Sequence, residues 1–228
     1  MNLVKISATD LVLEAGALDF EVQNTAEIDA HWTGLTAENP VLWDGRVHFL
    51  THISFTDGVL RARARQARFA TLLYWRDQGF PEIGWHHAYG AAVLRASDGA
   101  YLLGRMAEHT ANAGWVYFPG GALDPDDLVE GRLDTGHNIR REFAEETGLD
   151  PALARFAAEF VVASDGRRMA ITKEVWLPWD AEESRARLLE AIASYSDHEL
   201  AEILIVRDAD DLAGLQIKPY ARAIIESE

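Results

Sequence analysis

Cysteine is absent from all 228 residues, which excludes a disulfide framework and any thiolate metal site but leaves the compartment open. Basic residues are scarce as well. Lys and Arg number 21 against 37 Asp and Glu, giving a formal net charge of −16. A surface of that sign repels polynucleotide phosphates, so no nucleic-acid partner is expected. A small phosphorylated ligand remains compatible if arginines, or metal ions held on carboxylates, neutralise it locally. No stretch nears the roughly 20 apolar residues needed to cross a bilayer. The start, Met1-Asn2-Leu3-Val4-Lys5-Ile6, has neither the apolar run nor the cleavage site of a signal peptide. The expectation is therefore a cytoplasmic protein with no membrane partner. Repeats, low-complexity tracts and charge blocks are also missing. What is present, 48% hydrophobic and 25% charged residues, suffices for a folded core.

Two zones differ in texture, and the boundary falls near Trp85. In residues 1–84, short strands are expected around Val4-Ser7, Leu11-Leu13 and Arg46-Phe55, with helices over Asn24-Leu35 and Phe69-Gln78. Between Val59 and Gln66, Leu60, Ala62 and Ala64 alternate with Arg61, Arg63 and Arg65, the period of a strand with one polar face. Gly79-Phe80-Pro81 reads as a break. In residues 85–228, Tyr89-Arg95 and Tyr101-Arg105 flank a Ser97-Asp98-Gly99 turn and predict a hairpin. A short strand, Trp115-Phe118, stops at Pro119-Gly120-Gly121. A helix over Thr135-Thr147 ends at Gly148, the usual place for a left-handed cap. A second hairpin pairs Phe156-Ala163 with Met169-Pro178. A helix over Ala181-Tyr195, a strand at Ile203-Arg207 and a terminal helix over Pro219-Glu226 complete the pattern. Strands interleaved with helices place the chain in the α/β or α+β class.

The stretch that carries chemistry is Gly120-Gly121, followed by Arg141-Glu142-Phe143-Ala144-Glu145-Glu146-Thr147-Gly148-Leu149. On a helix, Glu142, Glu145 and Glu146 stand at i, i+3 and i+4 and share one face. Their mutual repulsion costs a few tenths of a kcal/mol per pair, a cost that a hard divalent cation removes. Arg141 reaches Glu145 one turn later and fixes its rotamer. Metal on such carboxylates draws charge from diphosphate oxygens and activates a bound water for attack at phosphorus. The plainer alternative is a solvated helix face with a surface salt bridge, but the register of the arginine, the apolar positions and both glycine stops argues against it.

These residues resemble the Nudix box: a glycine, five residues, a glutamate, seven residues, then Arg-Glu-apolar-x-Glu-Glu-x-Gly-apolar. The second half matches from Arg141 through Leu149, and Phe118-Pro119-Gly120-Gly121 resembles the family's usual entry. The resemblance implies a Nudix-type α/β/α sandwich with a mixed sheet over residues 85–228, preceded by a small α+β extension in residues 1–84. It also implies Mg²⁺ or Mn²⁺ as cofactor, with Glu142, Glu145 and Glu146 as metal ligands and Arg141 and Glu145 in the catalytic set. The substrate implied is a small nucleoside diphosphate derivative. Two departures stand out. Gly121 and Arg141 are twenty positions apart, six more than the pattern, so Asp124-Glu130 is an insertion. Leu133 occupies the place of the first glutamate, which in the family braces the loop; Asp134 either takes that role or caps the helix.

Further candidates lie outside the box. Nudix enzymes often draw a general base from a later carboxylate, and Glu199 and Glu202 stand near the Ile203-Val206 strand, although each taken singly reads more readily as a surface acid. Arg105, before the Pro-Gly-Gly loop, is placed to meet a substrate phosphate, as are Gly120 and Gly121. Arg61, Arg63 and Arg65 read as a solvated or edge-protecting row, or else as an anion site. His31-Trp32, Trp43, Trp75 and Trp85-His86-His87 serve a core or a homodimer interface, or one of them stacks on a nucleobase. The segment Asn39-Pro40-Val41-Leu42-Trp43-Asp44-Gly45 resembles the N-terminal extension of Nudix enzymes acting on UDP-sugars. Nucleotide sugars therefore lead, with ADP-ribose and dinucleotides next. A non-catalytic Nudix nucleotide sensor is the second reading, disfavoured because the box carboxylates are kept. An isoprenoid diphosphate isomerase of the same fold generally relies on a cysteine, and there is none.

Overall fold

The computed structural model describes residues 1–194 and 199–227. The first zone contains Asn2–Ile6 (β1), Ala8–Leu13 (β2), Asp19–Gln23 (α1), Thr25–Glu38 (α2), Arg46–Thr56 (β3), Val59–Arg68 (β4) and Phe69–Asp77 (α3). In β4 the alternation predicted from sequence holds: Leu60, Ala62 and Ala64 are buried, and Arg61 and Arg63 are exposed, because successive strand residues face opposite sides.

The second zone contains His86–Arg95 (β5), Tyr101–Met106 (β6), Val116–Tyr117 (β7), Gly120–Ala122 (β8), Leu128–Val129 (β9) and Arg132–Leu133 (β10). Then follow Thr135–Thr147 (α4), Arg155–Phe156 (β11), Phe160–Ser164 (β12), Arg168–Trp176 (β13), Ala181–Ala193 (α5), Leu200–Val206 (β14) and Pro219–Ile225 (α6). The expected helix end at Tyr195 and the terminal Glu228 lie outside the described residues.

All strands of the described residues join one mixed sheet, whose longest path runs β1-β12-β13-β5-β3-β4-β2-β10-β9. The β13–β5 and β2–β4 pairs are parallel. Strand β6 links β5 to β14 and carries β7, while β8 lies on β5. Strands β1 and β3 hydrogen-bond to β12 and β5, so both zones share the sheet.

Neighbouring residues of β5 show how helices cover it. Gly90 faces Asn138 and Ile139 of α4, whereas Tyr89 packs edge-on against Tyr220 of α6, with ring centroids 5.5 Å apart. Adjacent strand residues point to opposite faces, so α4 and α6 sandwich the sheet. The larger core runs through β5, β6, β13, α4, α5 and α6. A smaller one, Leu18, Val47, Phe49, Ala67, Leu72 and Trp75, belongs to residues 1–84.

Candidate active site

Helix α4 begins where the Asp134 side chain accepts from the His137 N–H (2.9 Å), and it ends at Gly148 with φ 69°. Asp134 is thus a helix cap, one of the two roles open to it. The loop-bracing acid is Asp127, inside the insertion and fully buried. It accepts from Asn138 Nδ2 (2.8 Å) and the Asp124 N–H (2.9 Å), and it pairs with Arg141 at 3.3 Å. The Asp124-Pro125-Asp126-Asp127 run, a capped one-turn helix, was the available signal: an Asp that caps and a Pro at the first turn position mark a built loop.

Arg141 is a four-way junction. Its guanidinium meets Asp124 at 2.9 Å, Asp127 at 3.3 Å, Glu142 at 3.0 Å and Glu145 at 2.9 Å. These partners hold it charged, well above its ordinary range, against the cost of burial. Glu145 is mostly exposed, while Glu142 is nearly covered. Burial pushes the Glu142 carboxyl up to about 8, with Arg141 opposing the shift and Glu145 adding to it. Glu146 is raised too, by burial first and then by the charges of Glu142 and Glu199.

The glycines of β8 make the close approach possible. A Cβ on Gly121 would lie 2.5–2.6 Å from the Glu142 carboxyl, and one on Gly120 would collide with the β5 backbone at Gly90 and Ala91. The Gly120 N–H donates to Glu146 Oε2 at 3.2 Å. Glu142, Glu146, Gly120, Gly121 and Glu199 all line one cavity of ≈ 720 Å³. Glu199 stands exposed at the cavity rim, where partial loss of solvent pushes its carboxyl upward.

Other residues singled out from the sequence lie elsewhere. Arg105 Nε donates to Glu202 Oε2 at 2.7 Å across the β6–β14 pair, and neither side chain lines the cavity. Arg63 pairs with Glu14, and Arg65 lies 5.1 Å from the Trp85 ring centroid. Trp75 is core, its indole N–H donating to the Pro81 carbonyl at 2.8 Å. Trp43 lines the cavity but is 80% exposed. His87 lines the cavity, and so do Arg76, Arg168 and Lys218, which sequence reasoning passed over; these three come from segments far apart in the chain and leave no local pattern to detect.

The donor chemistry suits a hard divalent cation: carboxylate oxygens only, with Glu142 and Glu146 desolvated and Glu145 open to solvent. Among the described residues no three acidic or imidazole side chains converge within coordination reach, and Arg141 engages both Glu142 and Glu145. Glu142, Glu145 and Glu146 share the α4 face and fit as a donor set once Glu145 turns from Arg141.

No helix of the described residues is long and apolar enough to cross a membrane. Among solved structures, the chain is similar to the Nudix hydrolase RenU from M. smegmatis (21% identity, TM-score 0.43, covering 62% of this chain and 83% of that one). It is also similar to the MutT protein from Methanosarcina mazei Go1 (22%, 0.40, 62% and 91%), and to a NUDIX hydrolase from Nitrosomonas europaea (18%, 0.40, 62% and 86%). No curated protein matches the chain. The NUDIX domain family model matches residues 85–219, more than half the sequence and the whole box. The chain therefore belongs to the Nudix family, as a pyrophosphohydrolase of nucleoside diphosphate derivatives.

Proposed function

We propose that this enzyme hydrolyses the diphosphate linkage of a nucleoside diphosphate joined to a further moiety, nucleotide sugars first and ADP-ribose-like compounds next. Mg²⁺ or Mn²⁺ would be held by Glu142, Glu145 and Glu146. The observation that carries the reading is the convergence of Glu142, Glu146 and Glu199, with the Gly120–Gly121 strand, on one cavity of ≈ 720 Å³. That volume lies within the span of small-molecule sites, about 300–1,000 Å³.

A divalent ion supplies charge neutralisation of the diphosphate and a water of lowered pKa. The residues do the rest. Arg141, fixed by Asp124 and Asp127, holds Glu142 in place. Glu199, at the cavity wall, takes the proton of the attacking water. Arg105 and Glu202, each occupied by the other, take no part in that step. Residues 1–84 act as an extension over the substrate: Trp43, Phe69 and Phe80 line the same cavity.

A panel of nucleotide sugars, ADP-ribose, NADH, dinucleoside polyphosphates and nucleoside triphosphates with Mg²⁺, resolved by product identity, tests this. Release of a nucleoside monophosphate from UDP- or ADP-linked compounds, ahead of triphosphate cleavage, is the expected result. Preferential triphosphate hydrolysis would refute the substrate class.

A further inference from the structure

The cavity carries two kinds of charge. Besides the glutamates, it is lined by Arg76 of α3, Arg168 at the start of β13 and Lys218 just before α6. Arg76 pairs with Asp77 and Arg168 with Asp165. Lys218 has no ion pair among the described residues. Its Nζ donates to Asn112 Oδ1 at 2.8 Å and stands 4.3 Å from the Trp115 ring centroid. Burial pushes this ammonium down to about 8, and the positive charges of Arg168 and Arg76 push the same way. A half-buried cation beside two others is costly unless an anion joins them.

Three further observations point to a ligand. His87, on the same cavity, has a buried Nε2 with no hydrogen-bond partner, a deficit rarely left unmet. Trp43 leaves most of an indole face to water at the cavity edge, while Phe80 is held at φ 57° with Arg168 4.6 Å from its ring centroid. A non-glycine residue in that region costs about 1–2 kcal/mol, and such strain concentrates at ligand clamps.

We propose that Arg76, Arg168 and Lys218 form an anion site that holds a phosphate of the substrate, while Trp43, Phe69 and Phe80 cover its uncharged body. The proposal rests on the diphosphatase reading and deepens it. It makes residues 1–84 part of the specificity apparatus, since Arg76 and all three aromatic side chains come from that zone. The cations grip phosphate without metal, whereas the α4 glutamates repel it unless metal is present.

Calorimetric titration of the full chain in EDTA separates the two. The probes are inorganic pyrophosphate and ADP, used with wild type, Lys218→Met, Arg168→Met and Trp43→Ala, with melting curves checking that each is folded. Lys218→Met gives up the ammonium but keeps an unbranched side chain of similar length, so its fold is expected to survive. Both cation variants should bind both probes about tenfold more weakly or worse. Trp43→Ala should weaken ADP and leave pyrophosphate unchanged. The anion site is overturned if wild type binds neither probe without metal, or if the cation variants bind both as wild type does. Unaltered ADP binding by Trp43→Ala overturns the aromatic cover. Failure of the diphosphatase reading shows separately, as no Mg²⁺-dependent turnover of the substrate panel despite intact metal-free binding.

Discussion

Gly121 and Glu142 are packed so closely that a methyl group added at Gly121 would stand 2.5 Å from the Glu142 carboxylate, which must move to admit it. The glycine is needed for space, since its φ is not in the left-handed region, and Glu142 cannot withdraw without leaving Arg141. Gly121→Ala should therefore push Glu142 out of position. Overpacking of this kind costs about 1–3 kcal/mol, so the fold should survive with a lower melting temperature. Turnover should fall by about tenfold or more at saturating substrate. Wild-type kinetics in a folded Gly121→Ala would show that Glu142 has slack.

Glu199 and Glu202 lie close in sequence but in different surroundings. Glu199 is on the cavity, and Glu202 is locked to Arg105. Glu199→Gln should lower kcat by about a hundredfold or more, the usual scale of a lost general base, with KM little changed. Glu202→Gln should cost at most about 1 kcal/mol of stability, as for a partly exposed pair, and leave kcat alone. Steady-state kinetics on both variants decides. Equal kcat in Glu199→Gln and wild type would remove the base assignment.

Asp127 is fully buried and serves Arg141, Asn138 and the Asp124 backbone together. Asp127→Ala should destabilise the protein by about 3 kcal/mol, because Arg141 loses a buried counter-charge. Urea unfolding measures this. A loss below about 1 kcal/mol, the scale of a surface pair, would mean that Asp124, Glu142 and Glu145 brace the arginine without it.

His87 should make stability fall in mild acid. Burial, with the Arg168 charge adding, pushes its imidazole down to about 3 from an ordinary value near 6.5. The unfolded chain thus takes up a proton that the folded chain refuses between those values. The native state loses up to about 1.4 kcal/mol per pH unit from this group as pH falls from 6.5 toward 3, and it gains nothing above 6.5. The difference in unfolding free energy between wild type and His87→Phe, followed from pH 7 to 4, should narrow or change sign as pH drops. A constant difference would place His87 in contact with solvent.

The elements with strong local patterns were legible in the sequence. Helix α4 appears at Thr135–Thr147 as expected, because a capping Asp, an apolar pair four apart and a glycine stop all agree. The β4 alternation and the β5–β6 hairpin were legible for the same reason. The insertion after Gly121 was visible only as extra length. Its content, a capped turn presenting Asp127 and the two-residue strands β9 and β10, depends on tertiary contacts that no period announces. The cationic wall was hidden for a related reason. Arg76, Arg168 and Lys218 come from three distant segments, and only the sheet topology brings them together. Arg105 seemed well placed for phosphate from its position before the Pro-Gly-Gly loop, but the β6–β14 register sets it opposite Glu202.

Everything rests on α4 presenting carboxylates that bind a divalent ion and thereby a diphosphate. The most direct measurement is Mg²⁺ binding by calorimetry together with product release, comparing wild type with the Glu145→Gln/Glu146→Gln double variant. Both metal affinity and turnover should drop on the order of a hundredfold or more, because several kcal/mol of charge stabilisation vanish, with melting behaviour retained. A folded double variant that still binds Mg²⁺ and hydrolyses its substrate at the wild-type rate would refute this assignment.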